Sequence, residues 1–215
     1  MNPVPGNSDE SRSWDTTFHV RRAANGDTDS LGSVVARLSP VLLAAAEYRL
    51  GPKLRTQVEA EDLVNEAWLV TLPKLNALEE RDGRLTPVLL KFLTTTINFR
   101  INNLLRRRLR RCTTEPVDRE AIAAVPSDAS GAITHAVRHE TQSMVRECLD
   151  DLRTGDREII LLRGIEQNSS KTVAMLLGLT VAAVDQRYSR ALKRLRERLP
   201  ESVFAELDGP GAAGA

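Results

Sequence analysis

The sequence predicts an all-α protein of two helical domains joined by a flexible linker. Apolar residues recur at helical spacing along most of the chain, and alternating runs of β-branched residues are scarce. One internal stretch, 112–134, loses this periodicity and carries Thr113, Thr114, Pro116, Pro126, Ser127, Ser130 and Gly131. Aromatic residues make up only 4% of the 215 positions, and the balance of 41% hydrophobic and 27% charged residues lets each half bury a core. The dipeptides nearest to a hairpin signal, Asn25-Gly26 and Asp82-Gly83, are each followed by helix-start chemistry.

The N-terminal segment 1–17 is polar and has no apolar stretch of signal-peptide length. No window reads as a membrane span, so a cytoplasmic chain with no membrane contact is expected. A short helix from Phe18 stops at Asn25-Gly26. A longer one over 30–50 follows, carried by Leu31, Val34, Val35, Leu38, Val41, Leu42 and Ala45; Pro40 bends it and Gly51-Pro52 closes it. Thr56-Gln-Val-Glu59 reads as a capping box for a helix that runs through Leu63, Val64, Ala67, Trp68 and Leu72. After a polar loop over 76–85, Thr86-Pro87 supplies an N-cap and a first-turn proline for a helix reaching about 111. Its first half is core-like and its last turns are rich in arginine. These elements form a first domain, 18–111.

Beyond the linker a second domain, 135–199, resumes on Met144, Val145, Cys148, Leu149 and Leu152, breaks at Thr154-Gly155 and continues through Ile159 to Leu162. The segment from Ser169 to Arg190 reads as a helix-turn-helix. Ser169 caps a short helix, Gly178 turns the chain, and Thr180 caps a second helix that buries Val184 and Tyr188 or Leu192. Ala182, Ala183, Asp185, Gln186, Arg187 and Arg190 are then expected outside, with the size and chemistry to read base edges and phosphates. Residues 200–215 are left as a tail.

Net charge is only +1, but the charges are segregated. Six arginines and no acid lie between 100 and 111; six basic residues lie between 187 and 198 against Glu197 alone. Glu59, Glu61, Asp62 and Glu66 sit in a stretch with no basic neighbour. This segregation predicts one surface for phosphates and another for a basic protein partner. The two cysteines, Cys112 and Cys148, show no Cys-x-x-Cys pairing, so neither a disulfide framework nor a zinc finger is indicated. His135 and His139, at i, i+4 with Cys148 in reach, lack a fourth ligand at motif spacing and read as surface histidines and a core thiol. Trp68 reads either as a partner contact or as core. No Gly-rich phosphate loop, nucleophile elbow or His-flanked carboxylate pair occurs, so neither catalysis nor a cofactor is expected.

Taken together these segments resemble the extracytoplasmic-function (ECF) branch of the sigma-70 family over nearly the whole chain. Ser169-Ser-Lys-Thr-Val-Ala, Leu-Leu-Gly-Leu-Thr-Val and Val184-Asp-Gln-Arg with Ala191 and Leu195 look like region four, which binds the minus-thirty-five element. Gly26-Asp27 with Leu31, Leu38 and Pro40-Val-Leu looks like the first helix of region two. Ala60-Glu-Asp-Leu-Val-Asn-Glu66 resembles the family's Ala-Glu-Asp-Leu-Val-Gln-Glu signature, with Asn65 in place of Gln.

The resemblance implies a sigma factor whose partners are core RNA polymerase (β′ coiled coil and β flap), promoter DNA and an anti-sigma factor. Glu61, Asp62, Asn65 and Glu66 would hold polymerase by charge-assisted hydrogen bonds. Asn98, Arg100, Asn102, Asn103, Arg106, Arg107 and Arg110 would hold the separated minus-ten element, and the 78–85 loop a flipped base. Lys171, Thr172, Ala182, Ala183, Asp185, Gln186, Arg187, Arg190 and Arg194 would meet the minus-thirty-five element. The linker, with Glu115, Asp118, Glu120 and Asp128, would thread toward the polymerase active-site channel. The chain departs from the family pattern at Phe92-Leu93, at Ile97-Asn98-Phe99 and at Lys171-Thr172, which replaces a commoner pair of acids.

Overall fold

Asp27 starts the longest helix. Its carboxylate accepts from the backbone N–H of Asp29 (3.1 Å) and Ser30 (3.4 Å) and from the Ser30 hydroxyl (2.9 Å), which satisfies donors that a helix N-terminus leaves unpaired. The Ser30 hydroxyl bond holds the Asp27 carboxyl below its ordinary range. The computed structural model describes residues 8–111, 132–200 and 202–207. Among these the α-helices are α1 (Ser8–Ala24), α2 (Thr28–Arg55), α3 (Ala60–Thr71), α4 (Thr86–Arg111), α5 (Ala132–Asp150), α6 (Thr154–Ile159), α7 (Ser170–Leu177) and α8 (Val181–Arg198). Short 3-10 helices cover Leu72–Ala77 and Val203–Glu206, and a π-helical turn covers Ile160–Ile165. The all-α expectation holds. Residues 112–131 of the expected linker, Cys112 and the side chains of Trp14, Arg110, His135 and His139 lie outside the described residues; 132–134, expected in the linker, begin α5, and the helix expected from Phe18 begins at Ser8.

The first four helices build one core around α2. Leu38, Val41, Leu42 and Ala45 of α2 are buried against Leu63, Val64 and Ala67 of α3 and Leu89, Leu90 and Leu93 of α4. By length and composition the Thr28–Pro52 stretch of α2 is apolar enough to cross a bilayer, contrary to the sequence expectation; half of it is buried as the core of this bundle. Trp68 belongs to the core: it is 6% exposed, and its indole N–H donates to the Ser39 hydroxyl at 3.2 Å.

Three local expectations need correction. The Thr56-Glu59 capping box does not form. The chain turns at Gly51 (φ 61°, ψ 168°), then makes one more helical turn, and Thr56 closes that turn by donating its N–H to Leu54 O. Glu59 therefore stands at the start of α3 without a side-chain cap. Thr86 is inside α4, with Leu85 O accepting the first helical bond from Leu89 (2.9 Å); the Thr86 hydroxyl instead meets that of Thr17 at 3.1 Å in the interior. Asp82-Gly83 does make a hairpin turn, because both residues adopt positive φ (53° and 71°) and Arg81 and Arg84 exchange backbone bonds of 3.1 and 3.0 Å. Arg21 ties this loop to α1, donating to Glu80 at 2.6 Å and to Gly83 O at 3.3 Å.

In the C-terminal half the helix-turn-helix forms as the sequence predicts. The Ser169 hydroxyl accepts from Thr172 N (3.1 Å), the Thr180 hydroxyl accepts from Ala183 N (3.2 Å), and Gly178 takes the left-handed conformation (φ 65°) that a side chain would resist. Val184, Tyr188, Ala191, Leu192 and Leu195 of α8 are buried against α6, α7 and the π-helical turn. Part of the 200–215 tail is structural: Val203 and Phe204 are fully buried, and Leu207 nearly so.

The two halves pack against each other through α2, whose far side meets α5 and the π-helical turn. Thr180→Ala removes the cap of α8 and is expected to destabilise the protein by about 1 kcal/mol. Thermal unfolding of the variant beside wild type measures this.

Candidate nucleic-acid interface

Three surfaces carry the expected functional residues. The first is the outer face of α3. This helix buries Ala60, Leu63, Val64, Ala67, Trp68 and Thr71, so Asp62, Asn65, Glu66 and Leu69 fall on its outer side at i, i+3, i+4 and i+7. Asp62 and Asn65 are exposed, while Glu61 and Glu66 are half-buried. Glu66 pairs with Arg100 of α4, so one residue expected to hold a protein partner grips one expected to hold phosphate. Leu69 (51% exposed) and Val70 (38%) extend this face with apolar surface that the sequence reading left out. Their position outside the buried register of α3 is the signal that finds them.

The second surface is the distal half of α4. Phe99, Asn102, Arg106 and Arg107 are exposed, and Asn103 is half-buried. Phe99, at 61% exposure, presents an aromatic ring three residues before Asn102 and seven before Arg106, a combination that suits stacking on bases beside phosphate contacts. Asn98 lies apart from this group, in a small cleft lined also by Arg49 and Glu166.

The third surface is the helix-turn-helix, and the structure divides its expected readers into two sets. Lys171, Ala182, Gln186, Arg190 and Arg194 are exposed. Ala182, Gln186 and Arg190 form a stripe at steps of four, which Ser189 and Lys193 extend. The others are engaged inside the domain. Thr172 shares the Ser169 cap, its hydroxyl lying 2.9 Å from that of Ser169. Ala183 is half-buried, and its N–H is taken by Thr180. Asp185 accepts from the Ser170 hydroxyl at 2.6 Å and from Arg163 at 3.3 Å; Arg163 also lies 4.0 Å from the centre of the Tyr188 ring. Arg187 donates to Asp156 at 2.7 Å and packs over Gly155 so closely that an added Cβ there would stand 2.5 Å from its guanidinium. Asp185 and Arg187, expected outside, thus brace α8 against α7 and α6. Met175, Leu176 and Val181 leave an exposed apolar patch at the turn of the motif, which the sequence reading also left out.

The family model described as Sigma-70, region 4 matches residues 142–195, the segment that builds this third surface. This segment is thereby of the sigma-70 region 4 type. The RNA polymerase sigma-E factor of Streptomyces coelicolor is 30% identical over 151 residues, covering 70% of this chain and 76% of the relative. The ECF RNA polymerase sigma factor SigD of Mycobacterium tuberculosis is 27% identical over 180 residues, covering 84% of this chain and 82% of the relative. The solved structure of the sigma factor RpoE with the anti-sigma factor NepR from Bartonella quintana matches at 24% identity and a TM-score of 0.35, covering 79% of this chain and 96% of that one. The chain belongs to the ECF group of the sigma-70 family, and its role is that of an RNA polymerase sigma factor. Members of this family regulate transcription and are not enzymes.

The Glu66–Arg100 pair is about one-third exposed on both sides. Because solvent screens such a pair, a double-mutant cycle with Glu66→Ala and Arg100→Ala is expected to give a coupling of about 0.2–1 kcal/mol that falls as salt is raised. Urea unfolding of the four proteins at low and high salt reads it.

Proposed function

We propose that this sigma factor binds core RNA polymerase through the outer face of α3 and directs it to promoters by reading two DNA elements with two other helices. The distal half of α4 and the Arg81–Arg84 hairpin before its first turn meet the separated minus-ten strand, and the outward stripe of α8 meets the minus-thirty-five duplex. The division follows the expected domains, 18–111 and 135–199, with the 112–134 linker between them. In this reading the protein acts in the cytoplasm, with an anti-sigma factor as a further partner of the same surfaces.

One observation carries this reading: three exposed faces of different chemistry stand on three different helices. The α3 face is acidic with an apolar end, suited to a basic, amphipathic protein helix. The α4 face combines one aromatic ring with amides and arginines, which stack on and neutralise unpaired nucleotides. The α8 stripe begins with small Ala182, which permits close approach to a groove, and continues with Gln186 and Arg190, side chains that pair with adenine and guanine edges or with phosphate.

The pair Asp62→Ala, Asn65→Ala is expected to weaken core-polymerase binding about tenfold or more, since hydrogen bonds to charged groups contribute about 1.5–3 kcal/mol each. It should leave the DNA affinity of the helix-turn-helix unchanged. The pair Gln186→Ala, Arg190→Ala should do the reverse, and loss of a phosphate contact should lower the salt dependence of DNA binding by about one unit of slope. Core pull-down, and in-vitro transcription from promoters selected out of a genomic library, measure both. Equal loss of both activities in both variants would overturn the division of labour.

A further inference from the structure

We infer that Arg21 of α1 is a positioning residue for the reading of the minus-ten element: it holds the Arg81–Arg84 hairpin in the shape that receives an unstacked base, and so acts on DNA through the hairpin. The inference rests on the function proposed above for that hairpin; the brace itself rests on the contacts alone.

The hairpin cannot hold its shape by local bonding. Its two central residues, Asp82 and Gly83, both adopt positive φ (53° and 71°), and for Asp82 this is a sparsely populated conformation. Its ladder is one isolated bridge between Arg81 and Arg84, with bonds of 3.1 and 3.0 Å. A turn without flanking strands is marginal in water, so contacts from outside must select it. Burial does this at the two ends, where Leu75 and Leu85 are each 4% exposed. The tip stands beyond that anchorage: the side chains of Arg81 and Asp82 are 68% and 67% exposed.

Arg21 reaches the part that burial leaves loose. Its Nε donates to Glu80 at 2.6 Å, on the residue that leads into the bridge, and its Nη2 donates to Gly83 O at 3.3 Å, inside the turn. A planar guanidinium fixes the spacing of two such acceptors in a way that a lysine ammonium does not. One helical turn earlier on the same face of α1, the Thr17 hydroxyl meets that of Thr86 at 3.1 Å in the interior. The same strip of α1 thus sets both the hairpin and the start of α4, the helix whose distal half carries Asn102 and Arg106.

The brace also sets the charge of the loop. Between 79 and 84 the chain carries Glu79, Glu80 and Asp82 against Arg81 and Arg84, an excess of one acid that would repel a phosphate strand. Arg21 supplies the missing cation, and its bond holds the Glu80 carboxyl below its ordinary range. A loop already in its bound shape and neutral in sum gives an extruded base a fixed set of polar contacts and loses little freedom when the base arrives. The side chains of Arg21 and Glu80 are 41% and 37% exposed, so either can be changed without opening the core.

Two measurements on the full chain test the inference. In the free protein, hydrogen exchange at the Arg81 and Arg84 amides, followed by NMR, is expected to quicken about threefold or more in Arg21→Ala. In holoenzyme reconstituted with core polymerase, binding to selected promoters is compared with binding to versions in which each minus-ten base is replaced in turn. Arg21→Ala and Glu80→Ala are each expected to shrink the preference for the favoured base at one minus-ten position about two- to tenfold, while minus-thirty-five preference and core affinity stay at wild-type values. Combining the two substitutions should reduce the preference no further than either alone, and Arg21→Lys, which keeps the charge without the fork, should restore it only in part. Unchanged amide exchange, or a loss that is uniform across sequences and additive in the pair, as a direct phosphate contact would give, would overturn the brace. Quickened exchange together with a wild-type holoenzyme that shows no base preference at minus ten would retain the brace and sink the functional reading instead.

Discussion

Burial of the central stretch of α2, residues 38–50, is the constraint from which the rest of the structure follows. One side of the helix, with Leu38, Val41, Leu42 and Ala45, is the floor on which α1, α3 and α4 stand. Because α3 and α4 must both seat apolar residues on that floor, their polar faces are driven outward. The acidic face of α3 and the arginine-rich end of α4 thus become surface as a result of core packing. The opposite side of α2 is polar where it meets the C-terminal half. It carries Glu47, Tyr48 and Arg49, and it meets the C-terminal half through ions.

The helix-turn-helix illustrates a second division, between charged residues that build a reading surface and those that present it. Asp185, Arg163, Arg187 and Asp156 are all within reach of α8 or on it, yet they are bonded to one another and to Ser170. Their pairing fixes the roll of α8 about its axis. The roll in turn decides that Gln186 and Arg190 face outward and that Val184 and Tyr188 do not. An arginine on a recognition helix is therefore not a DNA contact by composition alone; what it is bonded to when no DNA is present decides.

How much of this was legible in the sequence depended on the range of the interaction. Ser169, Gly178 and Thr180 act within four residues of themselves, and the sequence located both helices they bound. Thr56 misled because a cap competes with the end of the preceding helix, and the turn at Gly51 gave that helix four further residues. Asp82-Gly83 was passed over because its hairpin consists of a single bridge with no alternating strands to announce it. The acidic residues of α3 were visible as a charge cluster, whereas Leu69 and Val70 emerge only when the buried register of the helix is known. Arg49 with Glu166, 117 positions apart, and Thr16 with Glu206, 190 apart, leave no local trace in composition or period.

The chemistry of that long-range interface is ionic where Arg49 meets Glu166 and Glu158. Replacing a buried ion pair by packed apolar residues is often neutral or stabilising, so ionic pairing is not what a permanent interface between domains requires. Leucines at 49 and 166 would have joined the halves more firmly, and would have exposed an adhesive apolar patch whenever they parted. Arginine and glutamate lose their pairing on separation but regain water, so each half remains compatible with solvent by itself. The interface is thus selective in register, through the fixed geometry of the Arg49 guanidinium between two carboxylates, and weak in net energy. An interface with those two properties sits on the helix whose other side is the core.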